Sequence, residues 1–125
     1  MPRAITITVG DIEMDGTLFD TPTADAVWKA LPIARTVNTW GHEFYFDIGV
    51  QADQEPDASD IVDVGDLAYW PPGLAFCVFF GRTPASQRNE IRAASPVNVV
   101  GRINDPPVDH LRRVRTGTSI RIEPA

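Results

Sequence analysis

The residues best suited to chemistry are grouped around one carboxylate, Glu43. Apolar and polar side chains alternate over residues 43–48, so Glu43 and Tyr45 fall on the same face of a predicted strand. General acid–base catalysis would require burial to raise the pKa of Glu43 and a second titratable group within reach. Tyr45, Tyr69 and His42 are the candidates for that group, although alternation places His42 on the opposite face from Glu43.

Aromatic side chains from other segments could form the walls of a pocket around Glu43. A concave site with several aromatic walls and one carboxylate is typical of sites that bind small molecules or peptide segments. The alternative is that the aromatic rings pack in the core, while Glu43 forms an ion pair with Arg82 or Arg102. The candidate ligand-binding residues are Trp40, Glu43, Tyr45, Tyr69, Trp70, Phe80, Thr83 and Arg102.

Other reactive side chains give weaker signals. Cys77 is the single cysteine and lies in an apolar run, which favours a buried, unreactive thiol. Thr83 and Ser86 have no base near them in the sequence, and the acidic stretch 51–60 lacks the glycine and glutamate positions of a calcium-binding loop. The sequence therefore indicates no set of catalytic residues, no metal site and no cofactor.

The composition indicates one globular domain, residues 1–125. Hydrophobic residues make up 43% of the chain and charged residues 22%, which excludes a disordered chain. The net charge of −6 opposes binding to nucleic acids and to anionic membranes, because both need clustered Lys and Arg. The N-terminal residues show no apolar stretch followed by a cleavage site, so we expect a soluble, cytoplasmic protein.

One helix and several strands are predicted to position the candidate residues. Thr21 suits the N-cap of the helix, Pro22 its first position, and Pro32 its end. An apolar stripe, with Trp28 as a core side chain, faces the sheet. Alternation predicts strands at 5–9, 97–103 and 118–122, strand structure over 33–48, and a strand over 13–19 with a bulge at Asp15 and Gly16.

Residues 65–81 are predicted to form a hairpin. Two β-rich runs flank Pro71, Pro72 and Gly73, a turn in which glycine would adopt a positive φ. An aromatic residue before proline favours a cis Trp70–Pro71 bond, and the second run is apolar enough to be buried on both faces. Seven or eight strands with one main helix indicate an all-β fold, a closed or nearly closed antiparallel barrel.

Four sequence motifs lie along the chain: WGHEFYF at 40–46, VGDLAYWPPG at 64–73, FFGRTPAS at 79–86 and NVVGRI at 98–103. Together they are similar to those of the small prokaryotic cyclophilin-like proteins of unknown function. The resemblance implies a cyclophilin-like β-barrel of about eight strands with few helices. True peptidyl-prolyl isomerases carry an arginine shortly after Phe-His and then Gln-Gly-Gly-Asp, and neither pattern occurs here.

Three hypotheses for function follow from these observations. The leading one is a domain that binds a small molecule or peptide segment in an aromatic cleft without the usual isomerase residues. The second is a weak peptidyl-prolyl cis-trans isomerase in which Arg82 or Arg102 replaces the family arginine. The third is an interaction module that forms a homodimer through exposed strand edges or an aromatic patch.

Overall fold

Antiparallel strands make up most of the structure, a computed structural model that describes residues 1–125. The helices are α1, Pro22–Ala30, and α2, Val108–Leu111; a single 3₁₀ turn covers Pro71–Gly73. The strands are β1 Arg3–Val9, β2 Ile12–Leu18, β3 Ile33–Thr36, β4 Asn38–Thr39, β5 Glu43–Asp47, β6 Ser59–Val62, β7 Asp66–Trp70, β8 Ala75–Phe79, β9 Ile91–Ile103 and β10 Ser119–Pro124.

The strands form one curved sheet whose two edges do not pair. Their order is β3-β10-β1-β2-β9-β7-β8-β5-β4, and β6 pairs with β9 to one side of this path. The expectation of a closed barrel is therefore wrong. The edge strands β3 and β4 are consecutive in the chain, and the residue between them, Val37, exchanges backbone hydrogen bonds with Gly117 and Thr118 instead.

The strand count is higher than the sequence indicates. Residues 33–48 are divided into three strands, and the end of the acidic stretch adds β6. β2 pairs with β1 without interruption from Arg3 and Leu18 to Val9 and Ile12, so the bulge expected at Gly16 is absent. A Cβ at Gly16 would lie 3.1 Å from the backbone oxygen of Arg102 in the paired strand β9, a tight contact that favours glycine at this position.

Helix α1 begins and ends as the sequence predicts. The Thr21 hydroxyl accepts a hydrogen bond from the Ala24 N–H at 3.1 Å, and the Leu31 N–H donates to the Trp28 carbonyl. Ala24 and Val27 are fully buried against the sheet. Trp28 is only half-buried, because it lies at the rim of the core beneath the Arg3 guanidinium. Neither helix has the length and apolar character needed to cross a lipid bilayer.

The hairpin β7–β8 forms as predicted, but two details of its turn differ. Trp70–Pro71 is a trans bond, and the cis bond of the chain is Leu31–Pro32. The residue with positive φ in the turn is Leu74 (φ 47°) rather than Gly73, because residues 71–73 form a 3₁₀ turn that Leu74 ends.

Hydrophobic side chains pack on both faces of the sheet. The main core lies on the face that α1 covers, and a smaller cluster lies on the opposite face beneath β6 and the first half of β9. β8 contributes Phe76 and Val78 to the main core and Cys77 and Phe79 to the smaller cluster, so it is buried on both faces as expected.

Candidate functional site

A cleft of about 280 Å³ opens on the sheet face that carries the smaller cluster. Six of its seven lining residues are hydrophobic, and the seventh is a glutamate. Strands β5, β7 and β9 supply most of the walls. The residues that line this aromatic cleft are Trp40, Glu43, Tyr45, Trp70, Ala93, Ala94 and Val97.

Strand alternation and one tight turn place the first three of these side chains. Glu43 and Tyr45 of β5 point to the cleft, whereas Phe44 and Phe46 point into the main core. Trp40 lies at the turn between β4 and β5, where its N–H donates to the Glu43 carbonyl at 3.0 Å. Gly41 has a φ of +61°, and a Cβ at this position would lie 2.8 Å from the Arg82 carbonyl, so the turn requires glycine.

The Trp70 ring is held in place at two points. Its indole Nε1 donates to the Ser95 hydroxyl at 2.7 Å. On its other side Gly73 leaves room for the ring, because a Cβ on Gly73 would lie 2.8 Å from the ring atom Cε3. The orientation of this wall is therefore set by β9 and by the hairpin turn.

Glu43 is the unusual group of the cleft. The residue is 5% exposed, and its Oε1 atom has no hydrogen-bond partner. Burial raises the pKa of the Glu43 carboxyl to about 7, an effect that a hydrogen bond from the Cys77 thiol partly opposes. No lysine, arginine or histidine lines the cleft. Glu43 is thus a buried acid that is close to half-ionised at neutral pH.

Cys77 lies beneath the floor of the cleft. It is buried, and burial together with the nearby Glu43 carboxylate raises its thiol pKa well above the usual value. A thiol that stays protonated is a poor nucleophile. The expectation of an unreactive cysteine agrees with these surroundings.

Two of the predicted site residues, Tyr69 and Phe80, lie in the main core instead of the cleft. Tyr69 is next to Trp70 on β7, so alternation turns its ring to the opposite face; its hydroxyl donates to the Val50 carbonyl at 2.6 Å. Phe80 follows the end of β8 and packs on Phe44, with 4.6 Å between ring centroids.

Thr83 and Arg102 also lie outside the cleft. Thr83 is buried, and its hydroxyl donates to the Arg92 carbonyl, which fixes the loop before β9. Arg102 donates to the Val64 carbonyl at 3.1 Å and lies 3.8 Å from an Asp66 carboxylate oxygen.

The ion-pair alternative for Glu43 is also wrong. Arg82 donates to the carbonyls of Ser86 and Arg88, and Arg102 is engaged with Val64 and Asp66. Neither arginine forms a salt bridge with Glu43, whose Oε1 atom remains unpartnered.

The cleft wall that β9 contributes is not predicted from the sequence. The predicted strand starts at Val97, whereas β9 begins at Ile91 and lines the cleft with Ala93, Ala94 and Val97. The alternation of the apolar residues Ile91 and Ala93 with Arg92 is the sequence signal that indicates the earlier start of this strand. Small side chains in this stretch leave the space that forms the cleft.

A model of the family described as cyclophilin-like matches residues 3–123. The chain belongs to the cyclophilin-like family. This confirms the resemblance drawn from the four motifs. The match covers nearly the whole chain, so the cleft lies within the cyclophilin-like domain.

Two solved structures share the fold of this cyclophilin-like domain. The solution structure of the hypothetical protein AF2241 from Archaeoglobus fulgidus has 40% sequence identity and a TM-score of 0.81, covering 98% of this chain and 95% of that one. The structure of McbB in complex with tryptophan has 15% identity and a TM-score of 0.71, covering 96% of this chain and 44% of McbB. The likeness to McbB is one of fold alone. A search of curated proteins found no match.

Proposed function

We propose that the aromatic cleft binds a small molecule with an apolar, ring-containing body. The observation that carries this proposal is the lining of the cleft: apolar and aromatic walls converge on one buried carboxyl group whose Oε1 atom has no hydrogen-bond partner. Ligand sites are typically apolar concave surfaces with a few polar groups that orient the ligand. If Glu43 had only a structural role, its Oε1 atom would be buried without a hydrogen bond. The free-energy cost of burying that atom would then have no compensating interaction.

The size of the cleft favours a small molecule over a peptide segment. A volume of about 280 Å³ lies near the lower end of the usual range for ligand sites, roughly 300–1,000 Å³. One fused ring system with a short side chain fits such a space, whereas several residues of a peptide do not. McbB, which shares the fold, was solved in complex with tryptophan, and tryptophan is therefore included among the probes.

The geometry gives less support to the isomerase alternative. Stabilising a twisted prolyl amide requires a cationic or hydrogen-bond donor over an apolar cleft. The arginines considered for this role are engaged elsewhere, and none lines the cleft.

A ligand screen with two tryptophan variants tests the proposal. Indole and benzene derivatives, tryptophan among them, are screened by thermal shift, and binding is confirmed by quenching of tryptophan fluorescence. Trp70→Ala should weaken binding by about tenfold or more, because loss of a central aromatic contact costs on the order of 2 kcal/mol. Trp70→Phe keeps an aromatic ring and should lose less affinity. This variant tests the proposal if the alanine variant does not fold.

Trp28→Ala is the matched control. Trp28 lies on α1, on the other side of the sheet, and lines no part of the cleft. Equal affinity of a confirmed ligand for the wild type and for both Trp70 variants would contradict the proposed site.

A further inference from the structure

We infer that the ligand of the aromatic cleft is an organic cation, an amine or ammonium compound whose charged nitrogen contacts Glu43 beside the rings of Trp40, Tyr45 and Trp70. This inference rests on the proposed function and names the class of ligand. It follows from the charges, the ring faces and the burial in the cleft.

The charge of the cleft selects for a cation. Glu43 is the only acidic residue of the lining, and no lysine, arginine or histidine lies among the lining residues. A buried carboxylate is stable only with a counter-charge or hydrogen-bond donors, and the Glu43 Oε1 atom has neither. A bound ammonium group would supply both. The net charge of −6 also attracts cations to the protein and repels anions.

The walls of the cleft suit the same group. The faces of tryptophan and tyrosine rings carry negative electrostatic potential and attract ammonium groups that lie within about 6 Å. Two tryptophans and one tyrosine line this cleft, and Trp70 is fixed by Ser95. The same chain already pairs a cation with an aromatic face elsewhere, where the Arg3 guanidinium lies 5.3 Å from the Trp28 ring centre.

Binding of a cation should depend on pH through Glu43. The titratable groups that face its carboxyl are Tyr45 on β5 and Cys77 on β8, while β7 and β9 add no charged group to the lining. Burial raises the pKa of the Cys77 thiol and keeps it protonated, so the protonation of Glu43 controls the charge of the cleft.

The direction of the pH effect distinguishes two classes of ligand. The free acid has a pKa of about 7, and a bound cation needs the ionised form, so affinity should rise from pH 5 to pH 8. The rise approaches about 90-fold if the bound cation lowers the pKa of Glu43 well below 5. A neutral ligand that accepts a hydrogen bond from the protonated acid would show the opposite slope.

Two matched pairs of probes test the inference on the full chain. Tryptamine is compared with tryptophol, and phenethylamine with 2-phenylethanol, by titration calorimetry at pH 5, 6, 7 and 8. Each pair differs only in an ammonium or a hydroxyl group, and both amines stay protonated over this range because alkylammonium groups titrate near a pKa of about 10. We expect the amines to bind about tenfold or more tighter than the alcohols at pH 8, a typical gain for a partly desolvated ion pair.

Glu43→Gln removes the charge and keeps the shape. It should abolish both the preference for amines and the rise with pH, while binding of the alcohols remains. If this variant does not fold, the pH dependence of amine affinity in the wild type tests whether ionised Glu43 binds the cation. Alcohols that bind as tightly as the amines at pH 8 would overturn the inference and leave the proposed function standing. Binding of none of the four probes would overturn both.

Discussion

Replacement of Glu43 by glutamine should stabilise the protein at alkaline pH. Burial raises the pKa of Glu43 from 4.5 in the unfolded chain to about 7 in the folded domain. Between these values the folded state binds more protons than the unfolded state, so stability falls as the pH rises. A difference of roughly 2.5 pKa units corresponds to an upper limit of about 3 kcal/mol, which is fully lost above pH 7.

Glutamine at this position stays neutral at every pH and has nearly the same shape. Glu43→Gln should therefore equal the wild type in stability near pH 4.5 and exceed it by up to about 3 kcal/mol at pH 8. Urea unfolding at pH 4.5, 6, 7 and 8, followed by circular dichroism, measures the difference. The control is Glu13→Gln, which replaces an exposed glutamate on β2.

The comparison of variants isolates the contribution of Glu43. Burial also raises the pKa of Asp66, but Asp66 is present in both proteins and cancels in the difference. A stability difference that does not change with pH, or that is largest at acidic pH, would refute the reasoning that burial without a counter-charge raises the pKa of Glu43.

Two further predictions concern residues outside the cleft. Asn98 is 1% exposed; its amide donates to the Thr23 hydroxyl at 3.0 Å and its oxygen accepts from the Glu55 N–H at 2.8 Å. Asn98→Ala should cost about 3 kcal/mol in urea unfolding and speed amide exchange at Glu55, because buried polar groups lose their partners. A Cβ on Gly101 would lie 2.2 Å from the Thr17 carbonyl, so Gly101→Ala should destabilise by about 3 kcal/mol or more. A melting temperature unchanged by Gly101→Ala would contradict the close approach of β2 and β9.

Local features of the fold could be predicted from the sequence because each depends on a few neighbouring residues. Thr21 and Pro22 mark the start of α1 through a hydroxyl cap and a fixed φ. The alternation after Glu43 predicts that Glu43 and Tyr45 lie on the same face of the strand, and both side chains line the cleft. The same alternation places Tyr69 and Trp70 on opposite faces of β7, so the prediction that both residues lie beside the carboxylate is wrong for Tyr69.

Features that depend on contacts between distant strands could not be predicted from neighbouring residues. Ala93 and Ala94 enter the cleft only because β9 folds back over β5 and β7, which lie far from it in the chain. Arg102 was expected near Glu43 because both lie in motifs that carry the family resemblance, yet the register of β9 pairs it with Asp66 on β7. The open edges of the sheet have the same origin, since Val37 pairs with a loop near the C-terminus.

The sequence by itself determined the family, the main helix α1, the β7–β8 hairpin and the carboxylate, Glu43, around which the candidate site forms. Only the tertiary structure decided that this carboxylate is buried, that its Oε1 atom has no hydrogen-bond partner and that Trp40, Tyr45 and Trp70 surround it. The physical reason is that periodicity and capping act between neighbouring residues. Burial and the presence of a counter-ion depend on which distant strands meet, and these two properties set the chemistry of Glu43.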